Sequence, residues 1–175
     1  MKKILGIVLL AAVFTACKEN GRKTFSESEV VKKIQTNDGT IIRNNIALDT
    51  KGDLKVEQAF MLRANGSLVN DSNEVKVGEM IELRLLVNGW KSQKDSIALG
   101  ASEKIVTNDG TSVVDVADLF KDQAAIPLNK AQMIRMQATV TKQEKEYSYY
   151  KVDFKVWNKD ADQSLTGSYQ INIVK

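Results

Sequence analysis

Residues 80–87 read Met80-Ile81-Glu82-Leu83-Arg84-Leu85-Leu86-Val87. In an extended chain, successive side chains point to opposite sides. Ile81, Leu83, Leu85 and Val87 therefore share one face, with Glu82 and Arg84 on the other. A period of two is the signal of a half-buried strand. The same alternation recurs at 132–140, where Ile134, Met136, Ala138 and Val140 oppose Arg135, Gln137 and Thr139. It recurs at 148–156, with Tyr150, Val152, Phe154 and Val156 inward and Lys151, Asp153 and Lys155 outward. A fourth copy, 169–173, turns Tyr169, Ile171 and Ile173 inward.

Weaker strand candidates lie at 40–48, 54–62, 95–106 and 111–114. Turn signals separate them: Asn37-Asp38-Gly39, Lys51-Gly52-Asp53, Asn65-Gly66, Asn88-Gly89, Asn108-Asp109-Gly110 and the polar run from Asn158 to Ser164. No long amphipathic helix interrupts them, which excludes a parallel α/β sheet. The fold expected is all-β: an antiparallel β-sandwich, immunoglobulin-like or related, of about eight strands. One short helix is expected at Val114 to Lys121, and Pro127 is assigned to a loop. Trp90 is expected to cap one end of the core.

One octet repeats. Lys33-Ile34-Gln35-Thr36-Asn37-Asp38-Gly39-Thr40 returns as Lys104-Ile105-Val106-Thr107-Asn108-Asp109-Gly110-Thr111. Either the chain carries an old duplication, or one hairpin chemistry is used twice, since Asp-Gly suits the positive φ of tight turns.

Composition closes off most chemistry. The chain has 175 residues, enough for one domain with its own core. It has no histidine and one cysteine. That removes Ser-His-Asp and Cys-His nucleophiles, His/Cys zinc sites and an internal disulfide. No Gly-rich phosphate loop or nucleophile elbow appears. No catalytic residue, metal ligand or cofactor is assigned, and the protein is read as not an enzyme.

The N-terminus supplies an address. Met1-Lys2-Lys3 is a positive start, followed by an uncharged apolar run from Ile4 to Phe14. Its length fits a signal-peptide core of roughly 7–15 residues and falls short of the about 20 needed to span a bilayer. Val13-Phe14-Thr15-Ala16-Cys17 resembles a bacterial lipobox, with small residues at the two positions before the cysteine and Phe14 where leucine is usual. The resemblance implies cleavage before Cys17 and a diacylglycerol thioether on its sulfur. Lys18 is not the aspartate that, by the same resemblance, favours the inner membrane, so an outer-membrane address is implied. Whether the body faces periplasm or medium stays open.

The domain plan is then 1–16 signal peptide, 17–28 lipidated cysteine and tether, and 29–175 sandwich. Losing Lys2 and Lys3 takes the basic residues from 25 to 23 against 22 acids, a net charge of +1. A near-neutral body argues against nucleic acid.

Two features stand out as candidate sites. Tyr149 and Trp157 fall on the outward face of the 148–156 strand, where exposed rings anchor a partner protein or stack on sugars. The loops 158–164 and 70–74 carry the oxygen-rich side chains that calcium prefers, but they also read as solvated turns, and no metal is assigned. The architecture resembles that of small sandwich lipoproteins of bacterial envelopes. That resemblance implies a non-catalytic binding or accessory subunit: membrane-bound through Cys17, with an envelope protein as partner. A glycan is the alternative ligand, and a carboxylate-based hydrolase a more distant one.

Overall fold

A computed structural model describes residues 34–35, 39–141 and 145–175. Cys17 and the stretches expected to form a signal peptide and a tether lie outside the described residues. The described chain is almost wholly β. One sheet runs in the order β1 (Ile34–Gln35), β2 (Ile41–Ile42), β4 (Lys55–Arg63), β6 (Met80–Asn88), β11 (Met133–Thr139). The other runs β3 (Ala47–Lys51), β13 (Ser164–Val174), β12 (Tyr149–Asn158), β8 (Leu99–Thr107), β9 (Ser112–Val116). β5 (Glu74–Lys76) adds to the far half of β13 in parallel. A two-residue ribbon joins β7 (Ser96–Ile97) to β10 (Ile126–Pro127). Eight of these strands have five residues or more, the number expected; the rest are fragments of two or three.

The alternation read from the sequence is the alternation of burial. Ile81, Leu83, Leu85 and Val87 are each 1% exposed or less. They share one apolar cluster with Ile134 and Met136 from their own sheet and Val152, Phe154, Val156 and Leu165 from the other. The two inner faces thus make a single dry layer, and Trp90 is buried with it. The turn glycines 39, 52, 66, 89 and 110 all have positive φ, the backbone region glycine enters without steric cost.

The two copies of the octet share a pairing. Gln35 pairs with Ile41, and Val106 with Ser112, across the same span of chain. In the second copy Thr107 donates to the Asp109 carboxylate, which also accepts the Thr111 amide. Each pairing lies at the edge of a different sheet.

Two local expectations are corrected. No helix forms over 114–121. Val113, Val114 and Val116 are β-branched and extend along β8 as β9. Asp118 then accepts the amides of Ala101 and Phe120, turning the chain so that Phe120 enters the core. The described helix is instead one turn, α1 (Leu128–Ala131), directly after Pro127. Proline's fixed φ suits a helix start, and Pro127 itself belongs to the β7–β10 ribbon rather than to a loop.

Candidate functional site

Tyr149 and Trp157 both lie on the outer face of β12, half-buried, as alternation requires. They stand at opposite ends of the strand, about 26 Å apart at the usual strand rise, so they do not form one surface. Trp157 has an intramolecular task. It is paired with Gly100 on β8, and a Cβ at Gly100 would fall 2.2 Å from the indole ring. The ring therefore lies flat on glycine backbone. Tyr149 pairs with Asn172 at the other end.

Near that other end, five separate segments enclose a cavity of about 630 Å³. The end of β5 contributes Lys76 and the turn after it Val77. The chain after β11 contributes Thr141. The approach to β12 contributes Lys145 to Ser148, β12 itself Tyr150, and the end of β13 Ile173 to Lys175. Val77, 52% exposed, is the one large hydrophobic side chain left open among the described residues.

The walls are held by backbone. Gly78 N donates to Val140 O (2.6 Å), Val140 N to Glu79 O (3.1 Å) and Ile173 N to Ser148 O (2.9 Å). Ser148 N donates to the Asn108 side-chain oxygen at 3.0 Å. Arg63 ties the β5–β6 turn from below, pairing with Glu79 and donating to Glu74 O. That Arg63 hydrogen bond holds the Glu79 carboxyl below its usual range against a smaller effect of burial.

The floor is aromatic and aliphatic. The Tyr147 and Tyr150 rings meet edge to face, centroids 5.9 Å apart. Lys145 stands 5.7 Å from the Tyr147 centroid and pairs with Asp109. The Lys145 hydrogen bond, helped by Thr107 and Thr111, keeps the Asp109 carboxyl well below the usual range. Lys175 approaches Glu146 at 3.6 Å. Behind Tyr150 a smaller crevice of about 40 Å³ opens between the sheets. It is lined by Val113 and Val114 of β9, Ala138 of β11, Val140, Ile105 and Ile171, and it shares Tyr150 and Thr141 with the cavity. Volume, apolar lining and a few charged groups at the rim are the attributes of a small-molecule site.

Glu103 escaped the sequence reading. It is 2% exposed, on the inner face of β8, and its Oε2 has no hydrogen-bond partner. Burial pushes its carboxyl up to about 7. The signal was present: Leu99, Ala101, Glu103 and Ile105 fall in one phase. Glu103 does not line the cavity. The cavity itself had no sequence signal, because its walls are distant in the chain.

The oxygen-rich loops spend their side chains internally. Asn73 donates to Asn44 O and Gln170 O, Asp71 pairs with Arg43, and Asn70 donates to Glu74. In the other loop Asn158 accepts the Asp160 amide and donates to Lys91 O, while Asp162 pairs with Lys51. Among the described residues no cluster of three metal-ligating side chains forms.

No protein-family model and no curated protein matches the chain. A similar solved structure is the alkylpurine DNA glycosylase AlkC of Pseudomonas fluorescens, bound to DNA containing an abasic site analog. The match has a TM-score of 0.42 and 14% identity. It covers 71% of this chain and 31% of that one, so this chain spans about a third of that protein's length. The sequence had suggested an envelope accessory subunit and excluded nucleic acid. AlkC is an enzyme holding DNA, the opposite of both expectations, and both are withdrawn together with the envelope and glycan partners. A TM-score of 0.42 assigns neither DNA binding nor glycosylase chemistry to this chain. The exclusion had a physical weakness as well: net charge does not report where charges sit. Lys104 and Lys151 project from the outer face of the second sheet, each beside an aspartate.

Proposed function

We propose that this protein binds a small amphipathic anion in the cavity between Val77, Tyr147, Tyr150 and Ile173, and that it does so without catalysis. The observation carrying this reading is the cavity itself: about 630 Å³, with an apolar floor and Lys76, Lys145 and Lys175 around it. The ammonium of Lys145 and the ring of Tyr147 already form a cation–π pair, leaving one surface for a ring or chain and one for a negative group. Among the described residues Glu146 is the one carboxylate side chain lining the cavity. Hydrolysis by paired carboxylates needs two, about 5–10 Å apart, so the lining favours binding over bond cleavage.

The lipobox supports a place for this activity. With Cys17 acylated, the body sits on a membrane, by the sorting resemblance the outer one. Its tether, 18–28, reaches about 35–40 Å when extended. Metabolic labelling with a radioactive fatty acid tests the anchor: label is expected in the parent chain and absent from Cys17→Ala. Label retained in that variant overturns the lipobox reading.

The cavity is tested by titrating anilinonaphthalene sulfonate, an apolar anion whose fluorescence rises on desolvation. One saturable site is expected. It should be lost in the double variant Val77→Asp, Tyr147→Ala with circular dichroism unchanged. No saturable binding, or binding indifferent to both substitutions, overturns the reading.

A further inference from the structure

From the way the cavity continues inward, we infer that its ligand is a single-chain aliphatic carboxylate whose tail enters between the two sheets behind Tyr150. The inference rests on the cavity being a ligand site. Tyr150 lines both the outer cavity and the inner crevice. It is half-buried, points toward the core and packs its ring against Tyr147. It is thus the divider between a wide, wet mouth and a narrow, dry slot.

The slot lies at a seam. β11 is the last strand of one sheet and β9 the last strand of the other, and these two edges do not pair with each other. Val113 and Val114 face Ala138 and Val140 across it. Opening the seam separates side chains without breaking a β-ladder. Closed, the crevice holds about 40 Å³, so entry of a tail requires the Tyr150 ring to rotate and the edges to part.

The lining selects the tail. Ile105, Val113, Val114, Ala138, Val140 and Ile171 make the lining mainly apolar, with hydroxyls only from Thr139, Thr141 and Tyr150, and a buried hydroxyl without a partner costs free energy. A sugar ring or peptide would leave most of its polar atoms unpaired there, whereas methylenes lose nothing but water. The head is selected at the mouth, where Lys76 stands without an ion pair among the described residues. Lys145 and Lys175 hold exposed carboxylate partners that a ligand carboxylate can replace at little cost.

The test is displacement of anilinonaphthalene sulfonate from the full chain carrying Cys17→Ala, which has no acyl group at that residue. Competitors are hexanoate, octanoate, decanoate and decanol. Affinity is expected to rise about fourfold per added methylene, and decanol to bind up to about fivefold more weakly than decanoate. Ala138→Trp fills the slot and should abolish the dependence on length while the fluorophore still binds. Val113→Trp fills it from the other edge strand and covers the case in which the first variant fails to fold. If the fluorophore binds but affinity does not depend on length, or neither tryptophan alters that dependence, the tail inference is wrong and the cavity reading stands. If decanol binds as tightly as decanoate, the carboxylate assignment is wrong. If the fluorophore does not bind at all, both readings fall.

Discussion

Glu82 and Glu103 occupy equivalent stations in opposite sheets, and the fold treats them in opposite ways. Each sits within a nine-residue strand, β6 or β8, and each is nearly sealed from water, 8% and 2% exposed. Glu82 points away from the core. Burial pushes its carboxyl up, but hydrogen bonds from Arg84 and Gln137, with the charges of Arg84 and Arg135, outweigh this and leave it below its usual range. Glu103 points into the core, with Phe154 and Tyr169 nearby and an oxygen unpartnered, and only burial acts on it. The same side chain is a satisfied ion on the outer face of one sheet and an acid held near neutrality inside the other. What separates them is deeper burial at Glu103 together with the donors that only Glu82 meets.

The largest effect should come from removing the strained partner of this pair. A carboxyl moved from its ordinary value of 4.5 to about 7 penalises the folded state by about 3 kcal/mol once ionised. Glu103→Met, close in volume and uncharged, should stabilise the protein by about that much at pH 8 and far less at pH 4. Urea unfolding at the two pH values measures it, and equal shifts at both would mean that folding does not raise the Glu103 pKa.

The pH profile of the parent chain sharpens the contrast. With its folded pKa raised, Glu103 favours the folded state below about pH 4.5, and that contribution is lost as pH rises through about 7. Glu82, with its folded pKa lowered, contributes in the opposite direction: its stabilisation is present above its unfolded value and is lost on acidification. Stability should therefore fall from mildly acid to neutral pH, and Glu103→Met should remove that slope while leaving the acid limb.

Breaking the satisfied acid is the converse experiment. Arg84→Ala strips Glu82 of its guanidinium and should cost about 2 kcal/mol at pH 7, with the Glu82 carboxyl moving upward toward the behaviour of Glu103. Carbon-detected titration of Glu82 in the variant reads this directly; an unmoved titration would show that Arg135 and Gln137 suffice. The smallest effect is expected of Gln137→Ala, about 1 kcal/mol, because one neutral donor is lost and the ion pair persists.

Legibility followed range. The strands at 80–88, 133–139 and 149–158 were readable because a period of two is written into neighbouring residues. The turns at Gly52, Gly66, Gly89 and Gly110 were readable because their φ is a local property. Val114 to Lys121 misled because Val116, Leu119 and Phe120 also fit one helical side. Pairing with β8, which decided the matter, lies in another part of the chain. Tyr149 and Trp157 were correctly placed on the outer face of β12, but the glycine beneath Trp157 belongs to β8 and was invisible.

From the sequence alone come the all-β class, the inward faces, the turns, the want of histidine chemistry and the resemblance of Val13 to Cys17 to a lipobox. These depend on residue identity and on spacing within a few positions, which backbone geometry converts into faces and bends. The tertiary structure alone decided that Glu82 would meet Gln137, 55 positions away, and that Glu103 would meet no donor for its second oxygen. It alone brought Val77, Thr141, Tyr147, Tyr150 and Ile173 around one cavity. Desolvation and enclosure are sums over whatever other segments lie close in space, and no local pattern carries them.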